Sequence, residues 1–165
     1  ALGPCHSYDV DAELSDSAFA VVSRALKSTK PKWRISALQS LREYGYRDAA
    51  EDVIRLSRDP SPEVRHVAIQ ALGQIGAGQH VSPEGVDPIS PVGMRMRNNI
   101  YETLLVALDA DELESIRIKA MRALVQVGDA RAVPHLQRLL RGGTDKGRIE
   151  AQRALDKLNL QIAKN

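Results

Sequence analysis

The sequence is poor in aromatic residues and cysteine, and it has no long apolar runs. Phe, Trp and Tyr together make up 4% of the 165 residues, and Cys5 is the only cysteine. A lone cysteine excludes an intrachain disulfide and gives no sign of an oxidising compartment. The location is therefore left open, with the cytoplasm slightly favoured. No apolar run approaches the ~20 residues of a membrane-spanning helix. We therefore expect neither a disulfide scaffold nor a membrane partner.

The apolar residues are mostly alanine and leucine. The chain has 20 Ala and 18 Leu, with 43% hydrophobic and 27% charged residues overall. Such a composition is typical of a globular protein, and Ala and Leu favour helices over strands. We predict a flexible tail at residues 1–11 and a single all-α domain at residues 12–165. Because the sequence begins at Ala1 rather than Met, we also expect a processed or trimmed chain.

Charge is balanced overall but not along the chain. The net charge of +2 is too small to indicate nucleic-acid binding by itself. Residues 130–165, however, carry eight basic and three acidic side chains. One interpretation is a solvated helical surface, which is what charge runs usually form. The other is a binding surface for an acidic partner.

One residue pattern occurs four times in the chain. Each copy has Arg, a small residue three and six positions later, Leu at the seventh position, and Gly or Asn at the eleventh. These offsets lie on one side of a helix, so positions +3, +7 and +10 are predicted to be buried. The Gly or Asn is predicted to end each helix in a left-handed cap. The copies are Arg34-Ala37-Ser40-Leu41-Gly45, Arg65-Ala68-Ala71-Leu72-Gly76, Arg117-Ala120-Ala123-Leu124-Gly128 and Arg148-Ala151-Ala154-Leu155-Asn159.

A further apolar helix is predicted before each copy, at residues 17–27, 48–58, 98–108 and 130–141. Ser61 is predicted to cap the second repeated helix with Pro62 at its first position, and Thr144 or Asp145 to cap the fourth. None of the four helix pairs can bury its apolar side alone. The sequence therefore predicts a right-handed α-α superhelix, a solenoid of four stacked pairs.

The second and third copies are separated by 21 more residues than the other neighbouring copies. The segment at residues 77–99 contains three Pro and three Gly, which predicts a loop insertion. Its end, Met94-Arg95-Met96-Arg97, alternates flexible apolar and cationic side chains, as adaptable binding surfaces do. Either this segment contacts a partner, or it is a tolerated loop whose end starts the next helix.

The repeated segments resemble the HEAT-repeat family, in particular the HEAT-like repeats of phycobilisome lyases. The stretch from Asp59 to Gly76 resembles the second helix of such a repeat, and that from Gly128 to Leu136 resembles the start of the next first helix. The resemblance covers about residues 15–160. It implies the solenoid fold but no particular activity, because the family has many roles.

The resemblance also implies a structural ladder between repeats. In the family, an Asp at the turn inside a repeat is paired with an Arg six residues later, as in Asp59/Arg65 and Asp111/Arg117. Ser28 and Gly142 stand at the Asp position of the first and last repeats, so a weaker ladder is expected there. The apolar slot occupied by Val64 and Ile116 holds Trp33 in the first repeat and Gly147 in the fourth.

The sequence carries no recognisable catalytic or metal-binding motif. Gly-x-Ser-x-Gly, a Walker loop, His-Glu-x-x-His and paired cysteines are all missing from it. The acidic residues Asp109, Asp111, Glu112 and Glu114 are predicted to stabilise a helix start rather than bind a cation. We therefore expect a protein that is not an enzyme, without a cofactor or a metal site.

The candidate binding face consists of positions +2, +5 and +9 of the repeated helices. It is polar and Gln-rich at first and basic toward the C-terminus, without aromatic platforms for single-stranded nucleic acid. It also lacks a continuous apolar groove for a partner helix. This concave face and the segment at 77–99 predict a monomeric scaffold module that binds an acidic segment of a protein partner. The candidate residues are Gln70, Gln74, Lys119, Arg122, Gln126, Arg153 and Lys157, with Met94, Arg95 and Arg97 from the insertion.

The resemblance leaves two alternatives open. One is nucleic-acid binding, as in HEAT-like DNA glycosylases, for which affinity should fall steeply with salt. The other is a bilin lyase or chaperone subunit, an activity that only the family name suggests.

Overall fold

The computed structural model describes residues 18–44, 49–77, 91–110 and 113–164. All the regular elements in these ranges are helices, and none of them is long and apolar enough to cross a membrane. The predicted tail at 1–11 and most of the predicted loop lie outside the described residues. The helices are α1 (residues 18–26), α2 (Pro31–Tyr44), α3 (Ala50–Leu56), α4 (Pro62–Gly76), α5 (Pro91–Ala110), α6 (Glu114–Val127), α7 (Val133–Gly142) and α8 (Asp145–Ile162).

The second helices of the pairs stack on one another in chain order. α4 packs between α2 and α6, and α6 packs between α4 and α8. The first helices α3, α5 and α7 lie against the second helices of their own pairs. The predicted all-α solenoid of four helix pairs is confirmed.

The recurring apolar positions form the core between these helices. On α4, Ala68 and Leu72 are fully buried and Ile75 is 7% exposed, and the equivalent residues of α6 and α8 are buried as well. Positions +3, +7 and +10 are therefore the buried side of α4, α6 and α8, as predicted. Full burial of one leucine or isoleucine contributes about 1.5–3 kcal/mol, so most of the stability comes from this shared core.

Glycine lets α4 and α6 approach closely. A Cβ atom on Gly73 would lie 2.8 Å from the Cβ of Ala123 and 2.9 Å from its Cα. A Cβ on Gly76 would lie 2.7 Å from Cγ2 of Val127. Both glycines are thus required by packing between helices.

The predicted left-handed caps are correct at one position and wrong at two. Gly128 has a φ of 72° and ends α6 in the left-handed conformation. Gly76, in contrast, is the last residue of α4 and is followed by Ala77 in a right-handed conformation. Asn159 lies inside α8 because apolar positions continue past it to Ile162. Gly45 lies outside the described residues.

The helix starts confirm some of the predicted turn chemistry. Ser61 occupies the N-cap position before Pro62, but its Oγ donates to Oε2 of Glu63 at 2.6 Å instead of capping the helix backbone. Thr144 caps α8, where its Oγ1 accepts a hydrogen bond from the backbone N–H of Gly147 at 3.1 Å. The choice between Thr144 and Asp145 is therefore settled in favour of Thr144.

The predicted end of the loop insertion at Asn99 is wrong. α5 begins at Pro91, so the Met94–Arg97 segment belongs to a helix. Proline at the first helical position has no N–H that must be paired, so Pro91 starts the helix rather than preventing it. Gly93 is buried within this first part of α5.

The expectation that Trp33 fills a buried apolar slot is also wrong. Val64 and Ile116 are at most 1% exposed, whereas Trp33 is 58% exposed. Trp33 lies on α2 in the first of the four pairs, and within the described ranges no earlier helix pair covers it. The indole therefore remains on the surface.

Candidate functional site

The outward positions of α4, α6 and α8 form one continuous surface, which we call the basic face. Its residues on each helix are three or four positions apart, so they share one side of that helix. The three helices are neighbours in the stack, and all these side chains are exposed or half-buried. The basic face consists of Gln70 and Gln74 on α4, Lys119, Arg122 and Gln126 on α6, and Arg153 and Lys157 on α8.

A carboxylate that the sequence interpretation left out of the site lies within the basic face. The Glu150 side chain is only 13% exposed, and its Oε1 is 3.0 Å from Nη2 of Arg122 and 3.1 Å from Nη1 of Arg153. The hydrogen bond from Arg122, together with the charges of Arg122 and Arg153, holds the pKa of the Glu150 carboxyl below its usual range. Glu150 is therefore ionised at neutral pH and holds both guanidinium groups in place.

Lys119 lies at the other end of the basic face, near His66 of α4. Partial burial of His66 lowers the pKa of its imidazole, and the charge of Lys119 lowers this pKa further. His66 is therefore neutral at physiological pH. Both the burial and the nearby cation disfavour the protonated ring.

Substitution of Lys119 by glutamine should raise the pKa of His66. Removing the cation eliminates the smaller of the two causes, so the pKa should rise but stay below the ordinary value of about 6.5. NMR titration of the histidine Hε1 protons measures this shift. Lys157→Gln, at the opposite end of the same face, should leave the pKa of His66 unchanged. An equal response to both substitutions would show that Lys119 does not lie beside His66.

The three candidates from the predicted insertion lie on the first turns of α5. Met94, Arg95 and Arg97 are exposed, and Nη2 of Arg97 donates to the backbone carbonyl of Val127 at 3.4 Å. Val127 follows Gln126 at the end of α6. Arg97 is therefore brought to the helix end where Gln126 lies. Among the described residues, no hydrogen bond or ion pair connects Met94 or Arg95 with the basic face.

The ladder between repeats differs from the pairing that the resemblance implied. The carboxylate of Asp59 pairs with Arg34 of the preceding repeat, with Oδ2 at 2.8 Å from Nε and Oδ1 at 2.8 Å from Nη2. Arg65 instead donates from Nη1 to the backbone carbonyl of Asp59 at 3.0 Å. Arg117 lies on α6, and its predicted partner Asp111 is outside the described residues.

A weaker ladder at the first repeat was expected because Ser28 stands where Asp is usual, but the contact between the arginine and this turn is retained. Arg34 donates from Nη1 to the backbone carbonyl of Ser28 at 2.7 Å, as Arg65 does to Asp59. A backbone carbonyl is present at this turn position whether the residue is Ser28 or Asp59. The contact with the turn therefore needs only the arginine, and the acidic partner comes from the next repeat.

The acidic residues around the third intra-repeat turn have two different roles. Asp109 lies in the last turn of α5 and pairs with Arg138 of α7 at 2.7 Å, so it does not stabilise a helix start as expected. Glu114 lies in the first turn of α6 as expected, and it also accepts a hydrogen bond from Thr144. Within the described ranges, no group of three or more His, Cys, Asp or Glu side chains could hold a metal ion.

The stacked helix pairs define an α-solenoid repeat protein. Family models agree with this class: the HEAT repeats model matches residues 20–89, and the PBS lyase HEAT-like repeat model matches residues 116–142. Residues 20–89 and 116–142 are therefore similar to HEAT-type repeats, which confirms the resemblance seen in the sequence.

Comparison with solved structures supports the same fold. The crystal structure of an engineered protein superposes with a TM-score of 0.59 at 21% sequence identity. The alignment covers 92% of this chain and 66% of that chain. At this identity the likeness shows the fold alone. A comparison with curated proteins found no significant match.

Proposed function

We propose that this protein is a non-enzymatic interaction module that binds an acidic segment of a protein partner through the basic face. HEAT repeats generally mediate protein–protein interactions or scaffolding, which is the coarser role that the family supports. The finer proposal, an acidic partner, depends on the charge of this face. Its basic side chains all come from two adjacent helices, α6 and α8.

The observation that carries the proposal is the fixed geometry of Arg122 and Arg153. Glu150 holds both guanidinium groups through hydrogen bonds, so less side-chain freedom is lost when a partner binds. Guanidinium groups bind carboxylates through two parallel hydrogen bonds, and each has five N–H donors. Donors that do not face Glu150 therefore remain for a partner, and Lys119 and Lys157 add positive charge on either side.

Reversal of the four charges, by substituting glutamate at Lys119, Arg122, Arg153 and Lys157, should abolish binding to an acidic probe. A fluorescein-labelled peptide of ten glutamates, followed by fluorescence polarisation, is a suitable probe. We expect at least about a tenfold weaker affinity, because complementary charge becomes like charge across the interface. Capture of partners from a cell lysate by the wild-type protein and by the charge-reversed variant extends the test to acidic segments of natural proteins.

The matched control makes the same change of net charge away from the basic face. It substitutes glutamate at four exposed positions, Arg24, Lys30, Arg141 and Lys164. Equal affinity losses in the two variants would mean that only net charge matters, which would overturn the proposal. Tighter binding of a DNA duplex than of the peptide, with a steep salt dependence, would replace it with nucleic-acid binding.

A further inference from the structure

A groove lies between the first halves of α4 and α6. Its volume is ≈ 490 Å³. Its wall is mainly apolar, with polar groups on both α4 and α6, and Leu113 is 37% exposed. The lining consists of Ile35, Pro62, Val67, Leu113 and Ile116, with Glu63, His66 and Ser115 as the polar groups.

The groove is continuous with the basic face. Ser115 in the groove wall is followed at helical spacing by Lys119 and Arg122, so all three lie on one side of α6. The effect of Lys119 on His66 shows independently that the basic face reaches the groove, because His66 is part of the groove wall. An apolar site and a cationic site therefore adjoin on one surface.

We propose that this groove takes one apolar side chain from the same partner segment whose carboxylates bind Arg122 and Arg153. This inference rests on the proposed function and specifies the partner as a mixed apolar and acidic peptide. Charge complementarity determines on which side of the groove the acidic residues of the segment lie. The Glu63 carboxylate at the groove repels acidic residues on the α4 side, whereas Lys119 attracts them toward α8.

The helix geometry sets the spacing of the recognised residues. Ser115 and Arg122 are seven positions apart, which corresponds to roughly 10 Å along α6 at 1.5 Å per residue. An extended peptide advances about 3.3 Å per residue. The apolar residue should therefore precede or follow the first acidic residue by about three positions.

Three fluorescein-labelled peptides test this arrangement by fluorescence polarisation. The first contains Leu-Ser-Gly-Glu-Glu between Gly-Ser flanks, the second has Ser in place of Leu, and the third has Gln in place of both Glu. The first peptide should bind about fivefold or more tightly than the second, because its leucine side chain is transferred from water into the apolar groove. The third should bind far more weakly than the first.

Variants in the groove show whether the leucine binds there. Val67→Asn should remove the advantage of the leucine peptide while leaving the serine peptide's affinity within about twofold, since the added amide is neutral and a polar group buried against leucine opposes its binding. Leu113→Ser is a second variant at a more exposed position, in case Val67→Asn disturbs folding. Val106→Asn is the control, because Val106 is 47% exposed on α5 and lies outside this groove.

The outcomes separate the inference from the proposed function. Equal binding of the leucine and serine peptides would overturn the groove proposal and leave the acidic-segment proposal intact. An advantage for leucine that persists in both groove variants would also overturn it. No binding of either acidic peptide would overturn both.

Discussion

Replacement of Asp59 by alanine is expected to lower the free energy of unfolding by about 3 kcal/mol. The side chains of Asp59 and Arg34 are 5% and 12% exposed, so the substitution leaves a nearly buried guanidinium without its counter-ion. It also removes the acceptor for the backbone N–H of Ser61, which lies 2.9 Å from Oδ1 of Asp59. Urea unfolding followed by circular dichroism measures the loss. Fluorescence of Trp33, the only tryptophan, reports on α2 beside the broken pair.

Asp52→Ala is the matched control for this prediction. The carboxylate of Asp52 pairs with Lys27 and Arg55, and these two cations are 64% and 54% exposed. Removing such a surface carboxylate should cost less than about 1 kcal/mol. The double variant Arg34→Met with Asp59→Leu should recover much of the loss, because an apolar pair leaves no buried charge. Equal stability of the two alanine variants would contradict a role of Asp59 in joining the repeats.

Replacement of Gly73 by alanine should destabilise the fold by about 1–3 kcal/mol. In an open helix the same change would stabilise by about 0.5–1 kcal/mol, because glycine is a poor helix former. The sign is reversed here because the added Cβ would lie 2.9 Å from backbone Cα of Ala123. A backbone atom yields only if α4 and α6 move apart. Urea unfolding measures the difference.

Gly142→Ala controls for helix propensity, since a Cβ at Gly142, the last residue of α7, would meet no atom within 4 Å. It should be neutral or slightly stabilising. Combining Gly73→Ala with Ala123→Gly should recover part of the loss, because the Cβ of Ala123 is then absent. A Gly73→Ala protein as stable as the wild type would show that α4 and α6 are not in close contact.

Much of the fold could be predicted because the signal is local and repeated. The small residues Ala68 and Ala71 and the leucine Leu72 have small or leucine counterparts at the same offsets in the other copies, and helical periodicity alone places them on one buried side. The start of α5 at Pro91 was missed because proline was interpreted as a helix breaker. A proline in the first turn is compatible with the start of a helix, whereas a proline further along interrupts the helix.

The side-chain pairs of the site depend on contacts that the sequence does not contain. Arg34 and Asp59 are 25 positions apart, and Arg122 and Glu150 are 28 apart, so each pair forms only when repeats stack. The helical periodicity nevertheless places Glu150 on the candidate binding face, although it was not counted among the binding residues. It occupies the +2 position of its helix, as Lys119 does on the preceding repeat, and both positions belong to the same outward row.

The most direct test of the proposed function is to map the residues of the protein that an acidic segment contacts. The measurement is a titration of ¹⁵N-labelled protein with the ten-glutamate peptide, followed by amide chemical shifts. We predict that the largest changes fall on residues 119–126 of α6 and 150–157 of α8, with smaller changes at Gln70 and Gln74. Changes concentrated on α5 and α7, or no saturable change anywhere, would contradict the assignment of the basic face as the binding surface.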